Sequence, residues 1–251
     1  MLAAAATIAT SVRPHMLARP LWREVRSGAA LGAAGAAGAA PWPAGAGAPV
    51  LLIPGFMAGD ASLSPLAHTL AARGHRPFGS GIARNVDCSE RTVRRLLERL
   101  ETIAERSGHA VAIVGHSRGG VLGRALARRR PELVRGLLTL GSPHADQLAL
   151  HPLLWGQVLA IGMLGTLRLP GLLRLDCRGG RCCAEFDDDV AAPVARDLPF
   201  LSLYSRADGV VDWRACLVPC GRHREVRTTH CGMPGDGAVL DQVLDFLRRC
   251  A

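Results

Sequence analysis

The chain has 251 residues, of which 49% are hydrophobic, so length and composition predict one domain with a large buried core. The formal net charge is +9, and all 30 basic residues are arginine, since the sequence holds no lysine. The arginines are scattered and only 4% of residues are aromatic, so there is no stacking platform for bases, and we expect no nucleic-acid partner.

The first 49 residues are predicted to form an N-terminal arm and a linker. The apolar start lacks a preceding basic segment, and Arg13 and Pro14 interrupt it, so a secretory signal is poorly supported and we expect a cytoplasmic protein. Apolar residues near helical spacing in 17–25 predict a short amphipathic helix. Residues 28–49 are almost entirely Gly, Ala and Pro, which predicts a flexible linker.

From residue 50 the sequence alternates between apolar segments of strand length and amphipathic segments of helix length. Strands are predicted near 50–53, 74–78, 110–114, 137–140, 199–204 and 223–228, and helices near 62–73, 90–104, 121–129 and 238–249. Such alternation indicates right-handed βαβ units and a mostly parallel sheet with helices on both faces. Residues 50–251 are therefore assigned to one α/β domain.

One long segment, residues 143–197, interrupts this alternation. It has no Asp, Glu, Arg or Lys from 147 to 167, and residues 153–165 raise the question of a membrane helix. Pro152 and three glycines weaken that interpretation, so a helical lid is favoured, with an apolar face that lines an acyl pocket or makes transient contact with a lipid surface. The alternative is a pair of helices that pack on the core. Residues 187–189, all Asp, are interpreted as a solvated loop.

The motif G-x-S-x-G lies between a predicted strand and a predicted helix, which is the context that gives it meaning. It reads Gly115-His116-Ser117-Arg118-Gly119, with a further glycine next in the chain. Glycines allow a sharp turn because they remove the Cβ atoms that would collide there. Ser117 is thereby predicted to stand above the sheet at the positive end of a helix.

A serine hydroxyl needs a base within hydrogen-bond reach, and the base needs an acceptor that fixes its tautomer. Asp208 follows one later strand and His230 follows another, so the chain order is Ser117, Asp208, His230. This order, with each residue just past a strand, predicts a catalytic triad. Asp212 is the alternative acid. The backbone N–H groups of Phe56, after the first strand, and Arg118 are predicted to form an oxyanion hole.

The eight cysteines show no C-x-x-C repeat, and the spacing Cys177-x4-Cys182-Cys183 is irregular, so the sequence predicts no metal site. Cys216 and Cys231 flank the segment between the predicted acid and histidine loops. A disulfide between them is one hypothesis, and two free thiols are the alternative that a cytoplasmic protein favours.

Over roughly residues 50–249 the sequence resembles the bacterial lipase and esterase branch of the α/β-hydrolase superfamily, with triacylglycerol lipases among its members. The resemblance rests on Pro54-Gly55-Phe56, the G-x-S-x-G segment, Leu140-Gly141-Ser142-Pro143, the segment from Tyr204 to Val211, and His230-Cys231-Gly232-Met233. It implies the α/β-hydrolase fold and hydrolysis of a small-molecule acyl ester or lipid through an acyl-serine intermediate, with no cofactor.

Three other functions fit the same residues. An acyltransferase, or an amide or lactone hydrolase, would use the same acyl-enzyme, because G-x-S-x-G does not choose between them. A non-catalytic protein of the same fold would use the apolar insertion for binding or membrane association. The function that we expect is that of a lipase or esterase.

Overall fold

The computed structural model describes residues 14–37, 47–177 and 180–250. Its centre is a six-stranded sheet in the order β2-β1-β3-β4-β5-β6, in which every neighbouring pair is parallel. The strands are β1 (Pro49–Ile53), β2 (Arg76–Gly79), β3 (Val111–His116), β4 (Val134–Leu140), β5 (Phe200–Tyr204) and β6 (Arg222–Glu225). The predicted parallel sheet is confirmed.

Helices cover both faces of this sheet. They are α1 (Leu21–Ala37), α2 (Ser64–Ala72), α3 (Ser89–Ser107), α4 (Arg118–Arg129), α5 (Pro152–Thr166), α6 (Ala184–Ala191) and α7 (Gly237–Arg249). Short 3-10 turns connect them at Pro14–Ala18, Asp60–Leu63, Pro131–Leu133, Leu175–Cys177, Arg181–Cys183, Trp213–Cys216 and Met233–Gly235. In the described part of the chain, each helix is too short or too polar to cross a membrane.

Successive side chains of β3 point to opposite faces of the sheet, and both faces are buried. Val111 and Ile113 face the cluster formed by α3, α4 and α6, while Ala112 and Val114 face the cluster formed by α2 and α7. A parallel sheet covered on both faces carries continuous apolar strands, as β1 and β3 do here. The carboxyl ends of the strands consequently meet at one rim, where the loops bring polar groups together.

The N-terminal arm differs from its prediction in two ways. Helix α1 continues to Ala37, inside the segment predicted as linker, and residues 38–46 lie outside the described residues. The predicted apolar stripe is not the buried one, because Trp22 and Val25 are exposed. Among the α1 residues whose side chains are described, residues 21–29, the buried one is Glu24.

The insertion between β4 and β5 divides into two parts. Helix α5 and the residues after it lie beside the carboxyl rim, and several of their apolar side chains are exposed: Leu153, Met163, Leu164, Leu167 and Leu169. Helix α6 instead packs into the core through Phe186 and Val190. The predicted solvated loop at 187–189 is wrong: these aspartates belong to α6, and Asp189 accepts a hydrogen bond from Arg129 Nε at 2.5 Å.

Candidate active site

Ser117 occupies the sharp turn between β3 and α4. Its backbone angles, φ 53° and ψ −124°, are strained for a residue other than glycine, and the surrounding structure must enforce them. The N–H of Ser117 donates to the carbonyl of Leu140 at 2.7 Å, which attaches the turn to the end of β4. The predicted strand, turn and helix around the motif are therefore present.

Two glycines in this turn have no room for a side chain. A Cβ on Gly115 would lie 2.4 Å from Gly120 Cα, and a Cβ on Gly119 would lie 2.1 Å from Ile53 O. Both distances are far shorter than real Cβ contacts, and both neighbours are backbone atoms that cannot rotate away. The two glycines let α4 start directly against the sheet, which leaves Ser117 at the rim.

Asp208 lies in the loop after β5 and is 2% exposed. Its Oδ1 accepts backbone N–H groups from Val210 at 2.8 Å and Val211 at 2.7 Å, and its Oδ2 lies 2.6 Å from Nδ1 of His230. The backbone donors leave this carboxylate one orientation. The structure thus brings together the acid and the base that the sequence predicts.

The imidazole of His230 is held by several groups. Because Nδ1 donates to Asp208, Nε2 is left as the acceptor that a general base requires. Burial on its own lowers the pKa of His230, but the charges of Asp208 and Glu24 and the Asp208 hydrogen bond outweigh it, so the net pKa is raised above 6.5. His116 packs on the same ring at 4.8 Å between centroids, and its Nε2 donates to the His230 carbonyl at 3.1 Å.

The end of β4 connects the turn of Ser117 to the loops of Asp208 and His230. Leu140 accepts the Ser117 N–H, and Gly141 directly follows it with φ 57°. A Cβ on Gly141 would lie 3.0 Å from Nδ1 of His230 and 3.2 Å from Oδ2 of Asp208. All three predicted triad residues therefore lie around one short turn.

Asp212, the alternative acid, has other partners. Its Oδ2 lies 3.1 Å from Nε2 of His15 in the N-terminal arm, and its side chain caps the 3-10 turn that follows by accepting from Arg214 N–H. The remaining histidines near the rim also have structural contacts. His144 Nε2 lies 3.1 Å from Thr139 Oγ1, and His223 Nε2 accepts the N–H of Val218 at 2.8 Å.

A cavity of about 150 Å³ opens at the serine. Ser117, Phe56 and Arg118 line it on the side of the sheet, and apolar residues of the insertion, including Leu154 and Val158 of α5, line the other side. The two predicted oxyanion residues therefore share a cavity with Ser117. A wider depression of about 580 Å³ lies near His109, at the amino end of β3 and away from these groups.

The side chain of Arg118 is hydrogen-bonded to residues 85–89, so the predicted oxyanion hole uses only the backbone N–H of Arg118. Its Nη1 donates to both oxygens of Asn85, and its Nη2 donates to the carbonyl of Asp87 at 2.5 Å and to Ser89 Oγ at 3.2 Å. Asn85 in turn donates to the carbonyl of Pro54 at 2.8 Å. These bonds hold the loop after β1, which carries Phe56, against the start of α4.

Glu24 is the residue that sequence reasoning missed. Only 4% exposed, it accepts three backbone N–H groups: Gly209 and His230 at Oε1, and Cys231 at Oε2, at 2.7, 3.0 and 2.8 Å. One carboxylate from the arm therefore joins the acid loop to the histidine loop. One feature of the sequence could have drawn attention to it: Glu24 is the only acidic residue before Asp60.

The cysteines depart from the sequence analysis in two respects. Cys216 and Cys231 are both free, so the disulfide hypothesis is wrong. The sulfur atoms of Cys88, Cys177, Cys182 and Cys183 lie within 4.8 Å of one another, in an arrangement that could hold a metal ion, although the sequence predicts no metal site.

Comparisons with known proteins agree with this fold. A family model described as the PGAP1-like α/β domain matches residues 78–155, which include the Ser117 turn. No curated protein sequence matches the chain.

Several solved structures are similar in fold. A lipase from Bacillus licheniformis in its mature form has a TM-score of 0.61 at 17% identity, over 83% of this chain and 94% of that one. A soluble variant of monoglyceride lipase from Saccharomyces cerevisiae, in complex with a substrate analogue, has 0.57 at 17%, over 83% and 88%. An α/β superfamily hydrolase from Oenococcus oeni has 0.58 at 18%, over 82% and 94%. The chain has the α/β-hydrolase fold.

Proposed function

We propose that the chain is a serine carboxylic ester hydrolase. The observation that carries the proposal is the 2.6 Å contact between Asp208 and His230, beside a strained serine turn that opens into a cavity. Lipases are among the proteins of similar fold, which agrees with ester hydrolysis. An ordinary structural serine has no need of strained backbone angles or of a buried acid–base pair nearby.

In the proposed reaction, Ser117 Oγ attacks the ester carbonyl while its proton passes to Nε2 of His230. The charge on the tetrahedral oxygen is stabilised by the N–H groups of Phe56 and Arg118, a contribution of about 3–4 kcal/mol for each donor in comparable sites. The imidazolium then gives its proton to the departing alcohol, which leaves an acyl-serine. Water then attacks the acyl carbonyl while its proton passes to Nε2 of His230, and the imidazolium protonates Ser117 Oγ as the acyl bond breaks and the acid leaves. Asp208 stays ionised and orients the ring throughout.

The cavity favours a short acyl group. Its volume of about 150 Å³ is small beside the roughly 300–1,000 Å³ of typical ligand pockets. Apolar side chains from α5 line one side of it, so an alkyl chain of a few carbons would pack against them there. Exposed Leu153 and Leu167 on the outer side of the insertion support contact with a lipid surface.

The test compares wild type with Ser117→Ala on p-nitrophenyl esters of increasing chain length. We expect kcat/KM to be highest for short acyl chains, and to fall by at least about a thousandfold in the variant, since loss of the nucleophile removes the acyl-enzyme route. Ser107→Ala, at the far end of α3, is the matched control and should keep full activity.

Two further measurements separate the alternatives. Labelling of Ser117 by a fluorophosphonate probe is expected, and a folded protein that is not labelled would favour a non-catalytic binding role. A competing alcohol distinguishes hydrolysis from acyl transfer, because a dominant transfer product would replace hydrolysis as the activity. Equal ester turnover by wild type and Ser117→Ala would end the proposal.

A further inference from the structure

Four cysteine side chains converge near the start of α3. The sulfur atoms of Cys88, Cys177, Cys182 and Cys183 all lie within 4.8 Å of one another, with 3.4 Å between Cys88 and Cys183 and 3.8 Å between Cys182 and Cys183. In a tetrahedral zinc site with Zn–S bonds of about 2.3 Å, the sulfur atoms are about 3.8 Å apart. The cluster therefore has the dimensions of a site for one tetrahedral ion.

The cluster is assembled from distant parts of the chain. Cys88 precedes α3, while the other three come from the 3-10 turns Leu175–Cys177 and Arg181–Cys183 of the insertion. Cys88 and Cys183 are buried, Cys177 is half-buried and Cys182 is exposed. An ion could thus enter from the side of Cys182. The long separation explains why sequence spacing does not reveal the site.

The surroundings suit a negatively charged thiolate centre. Cys88 lies at the N-terminal end of α3, where the helix dipole stabilises an anionic sulfur. The backbone N–H of Arg174 donates to Cys177 Sγ at 3.3 Å, the type of contact that orients a metal ligand. The guanidinium of Arg118, hydrogen-bonded on both sides of Cys88 to Asp87 O and Ser89 Oγ, supplies positive charge.

We propose that Cys88, Cys177, Cys182 and Cys183 bind one zinc ion as a structural site. Four thiolates in a tetrahedral arrangement suit Zn²⁺ and complete its coordination, so no position is left for catalysis. Binding releases the thiol protons and forms four Zn–S bonds without any change of oxidation state. The proposal does not depend on ester hydrolase activity, because none of the four ligands is a triad residue, although Cys177 also lines the cavity at Ser117.

The ion would anchor the roof of the cavity. Leu173 and Cys177 line that cavity, yet the residues between α5 and α6 bury few apolar side chains of their own. The hydrogen bond from Leu173 N–H to Val86 O, at 2.7 Å, already joins this segment to the loop before α3. A metal that links Cys88 to the insertion would stabilise the same contact, since metal-binding free energy appears as folding free energy.

The experiment measures metal in the full-length protein, purified with a reductant that does not chelate zinc. We expect inductively coupled plasma mass spectrometry to find one zinc per chain, and a thiol-modifying mercurial to release it to a chromogenic chelator. Replacement by Co²⁺ should give the visible absorption bands of a tetrahedral cobalt thiolate. Removal of zinc should lower Tm, and added zinc should restore it.

Variants decide which sulfurs hold the ion. Cys182→Ser changes an exposed residue, so it should fold, and we expect it to lose zinc on dialysis and to lose the cobalt bands. Cys88→Ser should do the same. Cys250→Ser, at the end of α7 and outside the cluster, is the matched control and should retain one zinc per chain.

Three outcomes would overturn the proposal. The first is reduced wild-type protein that neither contains zinc nor binds it in a titration. The second is zinc that dialyses away equally from wild type and Cys182→Ser, which would mark an adventitious ion only. The third is an intact mass four hydrogen atoms lower before reduction than after it, with these cysteines paired in two disulfides. Each readout is independent of esterase activity.

Discussion

Glu24→Gln tests whether the N-terminal arm positions the loops that carry Asp208 and His230. The carboxylate accepts N–H groups from Gly209, His230 and Cys231, and it is buried. Glutamine has the same shape but only one acceptor oxygen, so the Cys231 N–H would face an amide nitrogen or lose its partner, and the other two bonds would become neutral. The change isolates the charge and one acceptor from the volume of the side chain.

The expected loss of stability follows from these three bonds. A hydrogen bond to a charged group contributes about 1.5–3 kcal/mol, a neutral one about 0.5–1.5, and an unsatisfied buried donor costs about 1–3. We therefore expect Glu24→Gln to lower the free energy of unfolding by roughly 2–4 kcal/mol, measured by denaturant unfolding. Glu105→Gln, on the exposed face of α3, is the matched control and should change stability by less than about 0.5 kcal/mol.

The pH profile provides a readout that a purely structural role would not change. Glu24 contributes to the raised pKa of His230, whose neutral form is the proposed general base. Activity should fall as the pH decreases through that raised pKa, above the ordinary value of 6.5. Without the Glu24 charge the pKa of His230 decreases, so the acid limb of kcat/KM should move to lower pH.

The rate itself should also fall in Glu24→Gln, by up to about a hundredfold if the histidine loop shifts by about 1 Å. A variant as stable as the wild type, with an unshifted acid limb, would show that Glu24 does not position His230. Glu105→Gln should leave both the rate and the pH profile unchanged.

Three further predictions follow from the rim and the insertion. Asp208→Asn should lower kcat by about ten-thousandfold, because it favours the wrong tautomer of His230. Asp212→Asn, which changes a contact with the arm, should keep most of the activity. Equal losses in the two variants would contradict the assignment of Asp208 as the acid. Gly115→Ala should lower the free energy of unfolding by more than about 2 kcal/mol, because its Cβ would overlap backbone in the first turn of α4. Gly156→Ala has open space around it and should raise the free energy of unfolding by about 0.5–1 kcal/mol. Thermal unfolding measures both. Leu167→Glu, on the exposed side of the insertion, should reduce sedimentation with anionic and neutral vesicles without changing turnover of a soluble ester; unchanged sedimentation would argue against a lipid-facing surface.

The sequence predicted the parts of the fold that local patterns control. Apolar strands and amphipathic helices alternate clearly, so the parallel sheet and its helices could be predicted from the sequence from Val50 onward. The G-x-S-x-G turn was readable for the same reason, because its glycines and its position between strand and helix are properties of consecutive residues. The order of Asp208 and His230 along the chain, each just past a strand, was enough to predict that they meet.

The insertion was only partly readable. Its lack of charge from 147 to 167 indicated an apolar element near the cavity, and α5 does contribute Leu154 and Val158 to that cavity. The three aspartates at 187–189 did not indicate a helix that packs on the core, because the residues that make its core contacts are Phe186 and Val190, on either side of them. A short helix with one polar face has too few residues for its period to be recognised.

What the sequence determined by itself is therefore the sheet, the serine turn and the pairing of Asp208 with His230. What only the tertiary structure decided is which distant residues support them: Glu24 from the arm, which bonds to the loops of Asp208 and His230, and Cys88, which meets three cysteines of the insertion. The physical reason is separation along the chain. Helical and strand periods, capping and turn chemistry act over a few residues, whereas a buried carboxylate or a cluster of thiols depends on how remote segments pack against one another.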